Sequence, residues 1–488
     1  MSVATENPYL NGNLGPVTVE TTAVDLPITG TVPGHLDGRY LRNGPNPIAP
    51  VDPARHHWFL GTGMVHGVRL RDGRAEWYRN RYVRTAEVAA SLGEAPRPGA
   101  KVHAGWDFAA NTNVIVQGGR TYAIVEAGAR PYELAEDLGT KGACDFDGTL
   151  PGGYTAHPKK DPVTGELHAV SYYWGWGNKV QYTVLGTDGR VRRVVDIEVT
   201  GSPMMHDFAL TESHIVLFDL PCVFDLSVVS HILPRRVRSG LGPLVTRGAG
   251  LFVGKRRTPA PVASAITARL LGGNTPPFPY RWDPSYPARL GIMPREGGAA
   301  DVRWFDIDPC YVFHPLNAYD DGDRIVVDVV RHPKMFDAQP LGPDEGAPTL
   351  DRWTIDRTAG KVLAERLDDH GQEFPRVDER VVGRRHRYGY AVAYDGVTGD
   401  SLLRHDLVGG SPVVRSFGAG HNVGEFVFIP DADDSPEDRG TLMGFVHDPD
   451  RDAADLMLLD AQTLATKAAV HLPARVPAGF HGNWAPSG

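Results

Sequence analysis

The chain has 488 residues, 41% of them hydrophobic and 22% charged, with a formal net charge of −9. That modest acidic balance excludes a nucleic-acid-binding surface of domain size, and no run of about 18 apolar residues is present to span a membrane. Three widely separated cysteines, Cys144, Cys222 and Cys310, exclude a disulfide framework and a thiolate zinc site and fit a reducing, cytoplasmic setting.

At the start, "MSVATENPYLNGNLGPV" has no basic stretch ahead of an apolar run, so no secretory leader is expected. Turn signals then recur at Asp37-Gly38, Asp72-Gly73, Asp147-Gly148, Asp188-Gly189, Asp321-Gly322 and Asp395-Gly396, pairs that accept the positive φ of hairpin turns. Between them lie runs rich in β-branched and aromatic residues: "RTYAIVEAG" (120–128), "VQYTVLG" (180–186), "SHIVLFDLP" (213–221) and "RIVVDVV" (324–330). "LMLLDAQTLATKAAVHLP" (456–473) reads as strand, turn and strand. The rhythm holds from about residue 30 to 475 with no linker, so one all-β domain over 1–488 is expected. A β-propeller suits this length best, because added blades lengthen the chain without enlarging one core. The spacing does not reveal how many blades there are.

One segment breaks the rhythm. Residues 221–285 have no acid between Asp225 and Asp283, and their apolar residues cluster at helix-compatible spacing among Arg235, Arg236, Arg238, Arg247, Lys255, Arg256 and Arg257. Two readings stand side by side: a basic amphipathic insertion that guards an apolar tunnel or rests on a membrane surface, or a long loop packed on the domain with solvated arginines.

Familiar catalytic motifs are absent. "GAGLFVGKR" (248–256) lacks the first glycine and the final Ser/Thr of a phosphate-binding loop. No G-x-S-x-G elbow or H-E-x-x-H helix occurs, and His35-Leu36-Asp37 matches an iron facial triad only within an evident turn. Of the 19 histidines, four stand among apolar, aromatic or small neighbours: His157 in "GGYTAHPKKDP", His206 in "SPMMHDFAL", His314 in "CYVFHPLNAYD" and His481 in "GFHGNWAP". Taken singly, each is better explained as a buried histidine bonded to a carbonyl. Only a closed fold that brings the chain back to one axis would make them ligands of a common metal, and their spacing does not decide this.

The motifs decide it by resemblance. "NPYLNG" (7–12), "GRYLRNGPNP" (38–47), "HWFLGTGMVHG" (57–67), "NTNV" (111–114), "GGYTAHP", "MMHDF", "FHPLNAYD", "EFPRV" (373–377), "GEFVFIP" (424–430) and "FHGNW" occur in the order seen in the carotenoid cleavage oxygenase family, which the chain resembles from end to end. The resemblance is greatest to actinobacterial members. It implies a seven-bladed β-propeller with a dome of helices and loops over one face, and a ferrous iron held by His157, His206, His314 and His481. It further implies Glu126, Glu373 and Glu425 as carboxylates behind the ligands, and Thr112 as a residue whose methyl crowds one open iron position.

Four neutral imidazoles suit iron and leave open positions for dioxygen as co-substrate. The implied reaction is oxidative cleavage of one double bond of a lipophilic polyene, a carotenoid or apocarotenoid, to two carbonyl fragments. The protein is expected in the cytoplasm with peripheral membrane contact through 221–285, and nothing in the sequence sets its oligomeric state.

The sequence departs from the family at Leu60 and Thr62, where acidic residues are common; the change is expected to lie in a loop away from iron. It departs again at Val125, where stilbene-cleaving members carry a lysine that, with a tyrosine, engages a phenolic hydroxyl. No tyrosine stands out in "RPGAKVHAGWDFAANTNV" (97–114). Stilbene or phenylpropene cleavage on the same fold remains the alternative, followed by retinoid isomerohydrolysis and by a binding module with structural histidines. Phe59, Phe313 and Trp484 are given no role, since an aromatic beside a ligand is more often packing.

Overall fold

Strand-forming runs pair as antiparallel hairpins, and each hairpin buries one face against the next sheet. In the computed structural model, which describes residues 7–487 except 102, 104–106, 271–274, 340, 395 and 397, seven such sheets form the blades of a β-propeller. The Asp-Gly signals act where they close hairpins. Asp72 and Gly73, with φ of 50° and 73°, join Gly63–Arg71 to Arg74–Tyr82, and Gly322 (φ 62°) joins Pro315–Asp321 to Arg324–Arg331. Gly38 differs from this expectation: it opens the strand Gly38–Pro45, where a Cβ would lie 2.5 Å from the Ala485 carbonyl oxygen. Asp395 lies outside the described residues.

The ring closes twice. Gly482–Pro486 joins the first sheet beside Gly38–Pro45, with Tyr40 opposite Trp484, and Ile28–Gly30 joins the last sheet beside Thr466–His471. A core containing Tyr40, Val68, Tyr78, Met443, Leu456 and Val470 welds these two blades together. Each such buried apolar side chain contributes on the order of 1.5–3 kcal/mol. Polar ties add register between blades: Asp161 accepts from the Val163 N–H (2.9 Å) and the Thr164 hydroxyl (2.9 Å) and pairs with Arg295 of the next blade. Although burial raises the Asp161 carboxyl, these donors outweigh it and bring it down to about 2.

The seven innermost strands begin with Gly482–Pro486, Asn113–Gln117, Lys159–Lys160, Phe208–Leu210, Pro315–Asp321, Gln372–Arg376 and Asn422–Val423. Among the described residues their inner edges have no neighbouring strand, and polar side chains line the axis on one side. A channel of about 1380 Å³ there is bordered by Asn113, Asn317, Asn483, Lys159 and Arg376. Proline is tolerated at such an edge because it removes no ladder hydrogen bond, which suits Pro158 and Pro315 directly after two of the histidines.

The segment 221–285 leaves the fourth blade after His214–Asp219 and returns at Arg289–Pro294. Its base is a hairpin of Cys222–Phe224 with Tyr280–Trp282, followed outward by a 3-10 helix, Leu226–Ile232, and helices Arg235–Ala249 and Ala260–Leu270. Val228, Val229, Ala263 and Leu270 pack inward, and the Thr267 hydroxyl meets that of Tyr173 at 3.2 Å. Val237, Leu241, Leu244, Leu251, Phe252 and Val262 are exposed. The side chain of Arg235 lies outside the described residues.

Candidate metal centre

Around the ring, His481, Thr112, His157, His206 and His314 each stand one or two residues before an innermost strand, Glu373 lies within one, and Glu425 stands in the break before Val427–Pro430. The four histidines are buried, and their ligating nitrogens all lie within 4.8 Å of one another. His157 centres the group, with ring centroids 4.4 Å from His206, 4.6 Å from His481 and 5.0 Å from His314.

Local bonds hold these rings in place. The His481 N–H donates to the Thr112 carbonyl (3.0 Å), and its own carbonyl accepts from the Asn43 N–H (3.0 Å). The Tyr311 hydroxyl donates to the Met204 carbonyl at 2.9 Å, fixing the approach to His206. Gly479 and Gly482 are needed for space: a Cβ would lie 1.8 Å from the Arg42 guanidinium at the first and 2.8 Å from the Leu41 carbonyl oxygen at the second.

The outer nitrogens face carboxylates. His314 Nδ1 meets Glu373 Oε2 at 2.6 Å and His481 Nδ1 meets Glu425 Oε1 at 3.0 Å. His206 Nδ1 lies 2.7 Å from Glu126 Oε2, close but not aligned as a hydrogen bond. His157 is the exception, with Asp207 3.9 Å away and already paired to Lys159 at 2.7 Å. Burial, reinforced by the other imidazoles, holds His157 well below the usual imidazole range, so it is neutral and free to donate a lone pair. Burial also lowers His314, partly offset by Glu373. Burial pushes the Glu373 carboxyl up, but His314 and His332 outweigh it; Glu425 is brought down to about 2 by Arg376 and His481 against the same penalty.

The donor set fits a metal. Nε2 of His157 and of His314 are buried and have no hydrogen-bond partner among the described residues, an arrangement that costs free energy unless a ligand completes it. Imidazoles whose second nitrogen is backed by a carboxylate are the usual form of such ligands.

Above the cluster lies an apolar cavity of about 870 Å³, bordered by His206, His314 and His481 and by Trp58, Phe59, Phe108, Tyr172, Phe278, Phe313, Phe374 and Phe480. Phe59 and Phe313 are therefore cavity walls, a role the sequence did not give them, whereas Trp484 borders the polar channel on the other side. Leu60 also borders the cavity, so the departure there is not remote from the site; Thr62 bonds the Asn46 carbonyl and the Ile48 N–H in a buried turn. Val125 borders the cavity beside Glu126. Of the stretch 97–114, residues 102 and 104–106 lie outside the described residues. Thr112 borders the cavity with its hydroxyl donating to Asn111 Oδ1 (2.9 Å), while Asn111 Nδ2 holds the Phe59 and Gly61 carbonyls.

Two residues at the centre escaped sequence reasoning. Arg376, inside "EFPRV", lies 3.5 Å from Glu425 and bonds Asn483 at 3.0 Å. His332 meets Glu373 Oε1 at 2.7 Å. The arginine stood within a motif that already signalled the site; nothing marked His332 out from other histidines.

The family profile described as retinal pigment epithelial membrane protein (RPE65) matches residues 14–486. A carotenoid cleavage oxygenase of Mycobacterium tuberculosis is 53% identical, over 99% of this chain and 98% of its own length. A carotenoid 9,10(9',10')-cleavage dioxygenase 1 of Phaseolus vulgaris is 30% identical, over 97% of this chain and 88% of its own. Among solved structures, the lignostilbene dioxygenase of Pseudomonas brassicacearum superposes with a TM-score of 0.80 at 26% identity, covering 98% of each chain.

Proposed function

The chain belongs to the RPE65/carotenoid cleavage oxygenase family, and from that premise we infer that it is a non-haem iron(II) dioxygenase that cleaves a double bond of carotenoids or apocarotenoids to aldehyde or ketone fragments. The observation that carries this reading is four buried imidazoles converging at the floor of an aromatic cavity. His157, His206, His314 and His481 would hold the iron, with Glu126, Glu373 and Glu425 behind three of them. When bound, ferrous iron supplies the activation of dioxygen, whose two oxygen atoms end in the two carbonyl products.

The chain's own residues place and shield. Phe59, Phe278, Phe313 and Phe480 stack around an apolar substrate, exclude water and select which double bond lies over the histidines. Thr112 narrows one side of the floor, its methyl left free because its hydroxyl is committed to Asn111. No protein nucleophile or acid–base pair is required.

The segment 221–285 would deliver the substrate. Its inner end supplies Phe278 and Tyr280 to the cavity, and its outer helix Arg235–Ala249 and the turn after it expose Leu244, Leu251 and Phe252 near Arg247, Lys255 and Arg256. Such a surface suits the cytoplasmic face of a membrane in which polyenes dissolve. No helix among the described residues is long and apolar enough to cross a membrane.

Stilbene cleavage is the second reading, favoured by the fold shared with a lignostilbene dioxygenase. Val125 beside Glu126 offers no cation to a phenolic hydroxyl, which weighs toward polyenes. Incubating iron-loaded protein with an apocarotenal and, separately, with a hydroxystilbene separates the two. Aldehydes from the apocarotenal support the polyene assignment, and aldehydes from the stilbene alone overturn it.

A further inference from the structure

Glu373 differs from the other two carboxylates because it serves two imidazoles, only one of which belongs to the four-histidine cluster. Its Oε2 accepts from His314 Nδ1 (2.6 Å) and from the Phe374 N–H (2.6 Å), and its Oε1 meets His332 Nε2 at 2.7 Å. A carboxylate oxygen accepts, so in this contact Oε1 is the acceptor and His332 Nε2–H the donor. Among the described residues Glu425 has no counterpart of this second imidazole; its other oxygen takes the Gly482 N–H at 2.9 Å.

His332 is built in rather than incidental. It is 1% exposed, borders the cavity, and stands edge-on to Phe313 at 5.2 Å and 90°. Its backbone is pinned on both sides by Tyr311, with hydrogen bonds of 2.8 and 2.9 Å. Tyr311 also holds the carbonyl of Met204 ahead of His206, so one tyrosine ties His332 and a cluster histidine to the same frame. A glutamate with one buried oxygen unpartnered pays a desolvation penalty and can turn about its last torsion. With both oxygens claimed, the plane of the carboxylate is set.

We propose that His332 is a positioning residue of the iron centre: its Nε2–H holds Glu373 Oε1, which leaves Oε2 aimed at His314 Nδ1 and so fixes His314 to present Nε2 to the metal. This rests on the four-histidine iron reading above.

The test uses the full chain loaded with cobalt(II), whose visible ligand-field bands report the geometry of the metal shell. Affinity is read by competition with a chelator. His332→Leu should shift the bands and weaken cobalt binding about 10–100-fold, the range for a lost outer partner of a ligand. His332→Gln, whose amide can still donate to Oε1, should recover most of the affinity. In a Glu373→Gln background the further change His332→Leu should cost little, since the carboxylate it positions is already gone. If His332→Leu does not fold, His332→Met replaces it in the same comparisons. Wild-type bands and affinity in the apolar variant overturn the proposal, as does an equal loss in the Glu373→Gln background, which would mark a packing effect. A wild-type protein that takes up neither cobalt nor iron overturns the four-histidine reading itself.

Discussion

Glu425 grips the final strand of the ring twice, its Oε1 accepting from His481 Nδ1–H at 3.0 Å and its Oε2 from the Gly482 N–H at 2.9 Å. One carboxylate thus sets both the orientation of the imidazole and the start of the strand that carries it, with Arg376 3.5 Å away to keep it charged. Glu425→Gln should therefore weaken cleavage about 10–100-fold without abolishing it. Steady-state turnover with iron content measured in parallel checks this, and wild-type activity would remove Glu425 from the supporting shell.

Replacing any one of His157, His206, His314 or His481 by Ala should abolish turnover, because three imidazoles lose both affinity and geometry. Metal analysis of each purified variant, alongside product detection, is the measurement. An active, iron-replete His206→Ala protein would rule out the proposed ligand set.

Truncation just before His481 should cost the metal and destabilise the ring, since it removes a cluster histidine and the strand Gly482–Pro486 that pairs with Gly38–Pro45. Thermal melting and metal content of the truncated chain give the answer. A fully stable, metal-replete product would show that this strand is dispensable.

Asp161 gives the acid response a definite sign. Its carboxyl is lowered to about 2 in the fold, against about 3.9 in an unfolded chain, so its stabilisation is present above the unfolded value and fades as pH falls toward the folded one. Melting temperatures of wild type and Asp161→Asn should converge between about pH 4 and pH 2. A constant gap across that window would rule out the charged Asp161 carboxylate, with its Val163, Arg295 and Thr164 donors, as the source.

The pair Leu244→Glu and Phe252→Glu should reduce sedimentation with vesicles containing anionic lipid while leaving cleavage of a detergent-solubilised apocarotenal near wild type. Unchanged vesicle binding would leave 221–285 as a packed cover and nothing more.

Local chemistry was legible where the signal is local. "RIVVDVV" and "LMLLDAQTLATKAAVHLP" read as strands and are strands, because β-branched runs bounded by turn residues need no distant context. Gly38 misled for the same reason: its demand comes from Ala485, far away in sequence, and an Asp-Gly pair looks alike in a turn and beside a crowded strand. The four histidines became a set only through motif resemblance, since nothing in spacings of 49, 108 and 167 residues shows that all precede inner strands. His332 lay beyond either method. It follows an ordinary strand, Arg324–Arg331, and its value depends on a glutamate one blade away.

The order in which the ring is completed has a consequence for biosynthesis. During translation His157, His206 and His314 emerge first, and the blade that began with Gly38–Pro45 waits for its inner strand until residue 486 has left the ribosome. A nascent or prematurely terminated chain therefore carries at most three quarters of the cluster. The complete set of four imidazoles therefore exists only in a chain whose β-ring has already shut.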